Sequence, residues 1–124
     1  MREIPISEIQ TLVGQEIGVS DWLEITQDRV NRFADATGDH QWIHVDVERA
    51  TKELGAPIAH GYLVLSLIPF LAKNIISYTG VSRGINYGSN KVRVHQHGAG
   101  RLATADARQD AFVRAAWRRL PSHQ

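Results

Sequence analysis

Cysteine is absent from this chain of 124 residues. Its absence removes a disulfide scaffold, a thiol nucleophile and every metal site built on thiolates. Surplus charge is lacking too. Fourteen Lys and Arg stand against 13 Asp and Glu, a formal net charge of +1, so no electrostatic footprint points to nucleic acid or to an acidic partner. No apolar run reaches the ~20 residues that a bilayer span needs. The longest, Tyr62 to Ile76, is interrupted by Pro69 and Lys73. The opening residues Met1-Arg2-Glu3-Ile4-Pro5 lack the apolar stretch of a secretory signal. These absences lead to the expectation of one cytoplasmic folding unit that acts on a small ligand, with no nucleic-acid or membrane partner.

What is present is a chain of alternating helical and extended patterns. Ser7 with Gln10 has the spacing of a capping box, so a short helix is expected from there to Gly14. Ile17, Val19, Leu23 and Ile25 alternate as in a half-buried strand, with Asp21 breaking the set. Thr26 can cap a helix whose apolar stripe is Val30, Phe33 and Ala34 and which Gly38 ends. A loop then runs from Asp39 to His44, and Asp46 can cap a further helix that ends at Gly55. Tyr62 to Ile76, apolar nearly all round, reads as a long central helix surrounded by protein. Ile85 to Val94 alternates as a strand, with Gly84 and Gly88 as candidate bulge positions.

Two short segments carry chemistry. Asp39 and His44 stand five residues apart, and both are proton-transfer groups. Hydration of a conjugated thioester needs a base to take one proton from water while the α-carbon receives another, and a carboxylate beside an imidazole can divide those roles. Taken alone, the pair reads more readily as a turn cap and a satisfied interior histidine, so its context decides. The second segment is Ala59-His60-Gly61 at the start of the apolar run. Free N–H groups at a helix start stabilise negative charge, such as that on an enolate oxygen, and Gly61 would admit a thioester carbonyl closely. Here the alternative is a permissive turn glycine beside a surface histidine.

The run Phe33-Ala34-Asp35-Ala36-Thr37-Gly38-Asp39-His40-Gln41-Trp42-Ile43-His44-Val45-Asp46 resembles the hydratase signature of the MaoC-like (R)-specific enoyl-CoA hydratase and dehydratase family. The blocks Gly55-Ala56-Pro57-Ile58-Ala59-His60-Gly61-Tyr62 and Gly84-Ile85-Asn86-Tyr87-Gly88-Ser89-Asn90-Lys91-Val92-Arg93 are similar to that family in order and spacing. The resemblance covers residues 1–94. It implies an α+β hot-dog fold, an antiparallel sheet wrapped around a long central helix, assembled as a homodimer when the sheet is complete. It implies addition of water across a trans-2-enoyl thioester of CoA or a carrier protein, with no cofactor and no metal. By the same resemblance Asp39 and His44 are the catalytic pair and Gly61 supplies the oxyanion-binding amide. Gln41 and His60 are assigned to substrate binding. Asn86 and Asn90 read either as pocket residues or as exposed turn asparagines. Gln41-Trp42 stands where many members carry Asn-Pro, a change that bears on acyl-chain preference.

His40, His95, His97 and His123 show no metal-ligand spacing with an acidic partner, and Trp22, Trp42 and Trp117 read as packing residues. Residues 95–124 depart from the family pattern. From Arg101 on, Ala and Arg dominate and apolar residues recur at helical spacing, so residues 101–120 are expected to be helical or poorly ordered, leaving the sheet incomplete. An incomplete sheet supports the competing reading, a catalytically silent acyl-thioester-binding subunit. A thioesterase on the same fold is a third reading, since fold does not dictate function.

Overall fold

The computed structural model describes residues 1–89, Val92 and the backbone of residues 109–111 and 114–116. The chain divides into two compact units, one drawn from the described parts of Met1–Asp21, Ile68–Val92 and Phe112–Gln124, the other from those of Trp22–Leu67 and Arg93–Ala111.

In the first unit, strand β1 (Arg2–Pro5) runs parallel to β4 (Ile76–Thr79), with Arg2 opposite Ile76 and Pro5 opposite Thr79. Strand β2 (Glu16–Val19) pairs antiparallel with β6 (Arg114–Ala116), with an irregularity between Glu16 and Gly18. Ile4, Leu12 and Ile17 form a buried cluster against which Ile76 packs. A Cβ added at Gly18 would lie 2.5 Å from Ile75 Cγ2, so Ile75 lies against the strand only because that residue has no side chain. A 3₁₀ turn spans Ile6–Leu12. It starts one residue before Ser7, with Pro5 in the capping position and no side-chain cap, so the expected capping box does not form. Proline presets φ near −65° at the turn's entry but has no acceptor for a first-turn amide.

The second unit carries strand β3 (Leu23–Ile25), paired antiparallel with β5 (Gln109–Ala111), and helices α1 (Gln27–Thr37), α2 (Trp42–Val45), α3 (Val47–Leu54) and α4 (Gly61–Ser66). Thr26 Oγ1 accepts from the Arg29 amide at 3.2 Å and caps α1 as expected. Asp46 Oδ1 accepts from the Arg49 amide at 3.1 Å and caps α3. Gly38 and Gly55 end these helices at φ 81° and 88°, where an L side chain would be strained.

Several expectations are corrected. The single strand over Ile17–Ile25 is two strands separated by Ser20-Asp21-Trp22. Trp22, expected in the packing, is 66 % exposed. The long central helix is broken into α4 and α5 (Ile68–Ala72), and Ile76 already belongs to β4. Pro69 has no N–H to give to the Leu65 carbonyl, and its ring crowds that carbonyl, so the helical ladder cannot continue through it. Nor is the segment apolar on all sides for the reason proposed: Leu63, Leu67 and Leu71 are buried, whereas Tyr62 is 80 % exposed and Ile68 and Phe70 are exposed as well. The strand expected over Ile85–Val94 is absent from its described part, Ile85–Ser89 and Val92, where every residue is exposed. Alternation specifies a face but not a partner, and glycines at 84 and 88 weaken extended pairing. The expected antiparallel sheet is instead three two-stranded sheets among the described residues, one of them parallel.

The helical reading of residues 101–120 also fails where that stretch is described, since β5 and β6 are strands. Ladder bonds to β3 and β2 outweigh the helix preference of alanine, which is under ~1 kcal/mol per residue. Among the described residues no helix is long and apolar enough to cross a membrane.

Candidate active site

All the groups that converge at the site belong to the second unit. Helix α1 delivers the first. At its end the Thr37 hydroxyl donates to the Phe33 carbonyl at 2.8 Å and accepts from the Asp39 amide at 3.4 Å, so Asp39 is held against the helix terminus. The Asp39 carboxylate accepts from the Gln41 amide at 3.4 Å, a local bond that bends the chain into α2. His44 lies on that short helix, not on the expected loop, and is 7 % exposed. Its backbone carbonyl accepts from Gln27 Nε2 at 2.8 Å.

The His44 ring has a defined polarity. Its Nδ1 faces the Ile58 carbonyl oxygen in a short contact, and a carbonyl can only accept, so Nδ1 carries the hydrogen and Nε2 is the nitrogen with the lone pair in the neutral ring. The Ile58 amide in turn donates to the Ile43 carbonyl at 2.9 Å. The 57–59 stretch is thereby tied to α2 by bonds in both directions.

His60 lies at 2 % exposure, so the surface-histidine alternative does not hold. Its Nε2–H donates to the backbone carbonyl of Asp39 at 2.9 Å. Its ring stacks on that of His44, with centroids 3.8 Å apart and planes 24° from parallel, and Phe33 lies 4.9 Å away in a tilted arrangement. His60 Nδ1 is buried with no hydrogen-bond partner. The residue occupies the cap position of α4 but gives it no side-chain cap bond, and Gly61 is the first residue of the helix proper. First-turn amides have no acceptor inside their own helix.

Among the described residues, Asp39, His44 and His60 form a group whose donor atoms lie within 4.8 Å of one another, a spacing that can hold a metal ion. Each imidazole spends one nitrogen on a backbone carbonyl and keeps the other for a proton or a ligand. A base beside a carboxylate is a second use that this arrangement allows.

The remaining candidates are placed as follows. Gln41 has an exposed side chain, and its carbonyl accepts the His44 amide at 3.0 Å. Asn86 is exposed in the other unit, and Asn90 lies outside the described residues, as do His95, His97, Trp117 and His123. Trp42 is half-buried with the Arg49 guanidinium 4.0 Å over its ring. His40 is exposed and bonds the Asp35 carboxylate at 2.9 Å. That bond, more than anything else, raises its pKa above the ordinary 6.5. Sequence reasoning missed Gln27 and Ile58, which hold His44 through backbone oxygens. Bonds to main-chain atoms leave no residue-type signature.

A family profile described as "MaoC like domain" matches residues 8–96. The chain belongs to the MaoC-like family. Membership implies the hot-dog fold, and the mixed helices and partial sheets described above are consistent with it. The chain is 52 % identical over 89 residues to 3-hydroxyacyl-thioester dehydratase Z of Mycobacterium tuberculosis, covering 71 % of this chain and 59 % of that one. It is 46 % identical over 101 residues to Nodulation protein N of Rhizobium meliloti, covering 75 % of this chain and 60 % of that one. It thus spans about three-fifths of the length of these relatives.

Proposed function

We propose that this MaoC-like chain is a hydro-lyase that interconverts a trans-2-enoyl thioester and its (R)-3-hydroxyacyl thioester, with Asp39 and His44 as the acid/base pair. The observation that carries the reading is the polarity of His44: with Nδ1–H directed to Ile58, Nε2 is the nitrogen left to accept a proton, on a buried ring that has one of its nitrogens within 4.8 Å of an Asp39 carboxylate oxygen. The relatives' name, 3-hydroxyacyl-thioester dehydratase, supports the same reaction class.

In the hydration direction His44 Nε2 takes one proton from water as the water oxygen bonds to C3. The Asp39 carboxylate accepts a hydrogen bond from the O–H that water retains. The C2–C3 π electrons move toward the thioester carbonyl, and the resulting enolate oxygen is met by the Gly61 amide at the start of α4. The imidazolium then returns its proton to C2, so the product contains the elements of one water and both side chains recover their starting state. Gln41, whose side chain is exposed beside the pair in sequence, belongs to the substrate side of this site. The substrate is a thioester of CoA or of a carrier protein, the setting is the cytoplasm, and a homodimer is the assembly if the sheet is complete.

A hydration assay with short- and medium-chain trans-2-enoyl-CoA tests the proposal. Enzyme-dependent loss of the conjugated chromophore with formation of the (R)-alcohol is the expected result. Thioester binding without turnover would overturn the hydro-lyase reading and leave a silent acyl-thioester-binding subunit.

A further inference from the structure

His60 is the buried group that this mechanism leaves unused. It is polar, 2 % exposed, and one of its nitrogens has no partner, an arrangement that costs about 1–3 kcal/mol of desolvation. Two contacts give it a reason to be there. Its Nε2–H holds the backbone of Asp39 at 2.9 Å, across 21 residues of sequence. Its ring is the surface on which His44 lies, 3.8 Å between centroids. One side chain thus touches both members of the acid/base pair, the carboxylate residue through its main chain and the imidazole through its face.

Resting on the function proposed above, we infer that His60 is a positioning residue, a neutral Nε2–H imidazole that sets the spacing of Asp39 and His44. The tautomer follows from the partners. The Asp39 carbonyl only accepts, so Nε2 bears the hydrogen; protonating Nδ1 as well would bury a charge and a donor with no acceptor. A ring locked in this way cannot serve as a second base, but it can hold the first. The effect belongs in turnover rather than substrate affinity, because a small displacement of an acid/base group costs up to about 10²-fold in rate, and His60, buried at 2 % exposure, touches the pair itself.

Two substitutions separate the two contacts. His60→Phe keeps a flat ring under His44 but removes the donor to Asp39. His60→Gln keeps an N–H near the position of Nε2. The Phe variant is expected to fold, as judged by circular dichroism and thermal unfolding, with kcat lower by about 10²-fold and KM little changed, and Gln is expected to recover most of that loss. Parental kcat in a folded Phe variant, or an equal loss in both variants, would overturn the inference. Nitrogen-15 spectra of the histidine rings give a readout that does not depend on turnover. The parent should show His60 as neutral Nε2–H and His44 as Nδ1–H, and His44 should keep that tautomer in the Phe variant, where the Ile58 carbonyl still selects it. Should the Phe variant not fold, a parental His60 protonated on Nδ1 still overturns the inference. A parent with these spectra and no hydration would defeat the proposed function alone, leaving the positioning of the pair intact.

Discussion

His44 donates its Nδ1–H to the carbonyl of Ile58, 14 residues further along the chain. That bond selects the tautomer, and with it the nitrogen that can accept a proton. It also joins the signature segment at 39–44 to the Ala59-His60-Gly61 segment, so two motifs separate in sequence become parts of one centre.

Removing either half of the pair should abolish most of the catalysis. Asp39→Asn and His44→Ala are each expected to lower hydration turnover by about 10²–10⁴-fold. Steady-state kinetics on folded variants checks this. A near-parental rate in either one would refute the role given to that residue.

Bulk at the start of α4 should act on the developing oxyanion. Gly61 is helical and is not among the positive-φ glycines, so valine is conformationally permitted there. Gly61→Val is nevertheless expected to reduce kcat/KM by about 10²-fold, the effect of losing one oxyanion donor. Unchanged kcat/KM would place the thioester carbonyl elsewhere.

The strands β5 and β6 predict a pattern of amide exchange. In the full chain the amides of β2 and β3 that face these strands should exchange slowly, and in a chain ended after Arg108 they should exchange faster, because the ladder bonds are gone. Hydrogen exchange read by mass spectrometry or NMR measures the difference. Equal exchange in the two chains would contradict the pairing.

His40 should titrate above its ordinary 6.5, chiefly because the Asp35 carboxylate hydrogen-bonds its ring. A raised folded-state pKa means that the pair's stabilisation is fully present below 6.5 and is lost as the pH rises through the raised value. Following the His40 ring protons by NMR should show the pKa falling toward 6.5 in Asp35→Asn. No fall would mean that the Asp35 bond is not the cause.

Local chemistry was legible in the sequence. Thr26, Gly38, Asp46 and Gly55 cap and end their helices through bonds to residues within one turn, and such bonds need no tertiary partner. The candidate pair and the Ala59-His60-Gly61 segment were legible for a different reason, since their residue types and spacing resemble a family signature. Tertiary structure alone decided the rest. Pro69 was visible as an interruption, but whether it bends or breaks the apolar run depends on what the flanking residues pack against. The alanines at 111, 115 and 116 favour a helix in isolation, yet their backbones pair with β3 and β2, because partner strands supply hydrogen bonds that propensity does not count. His60 shows the difference most clearly. A histidine before a glycine reads as surface or site with equal ease; its burial, its tautomer and its stacking on His44 arise only when Asp39 and α2 are brought against it, since the acceptor that orients it is a backbone oxygen 21 residues away.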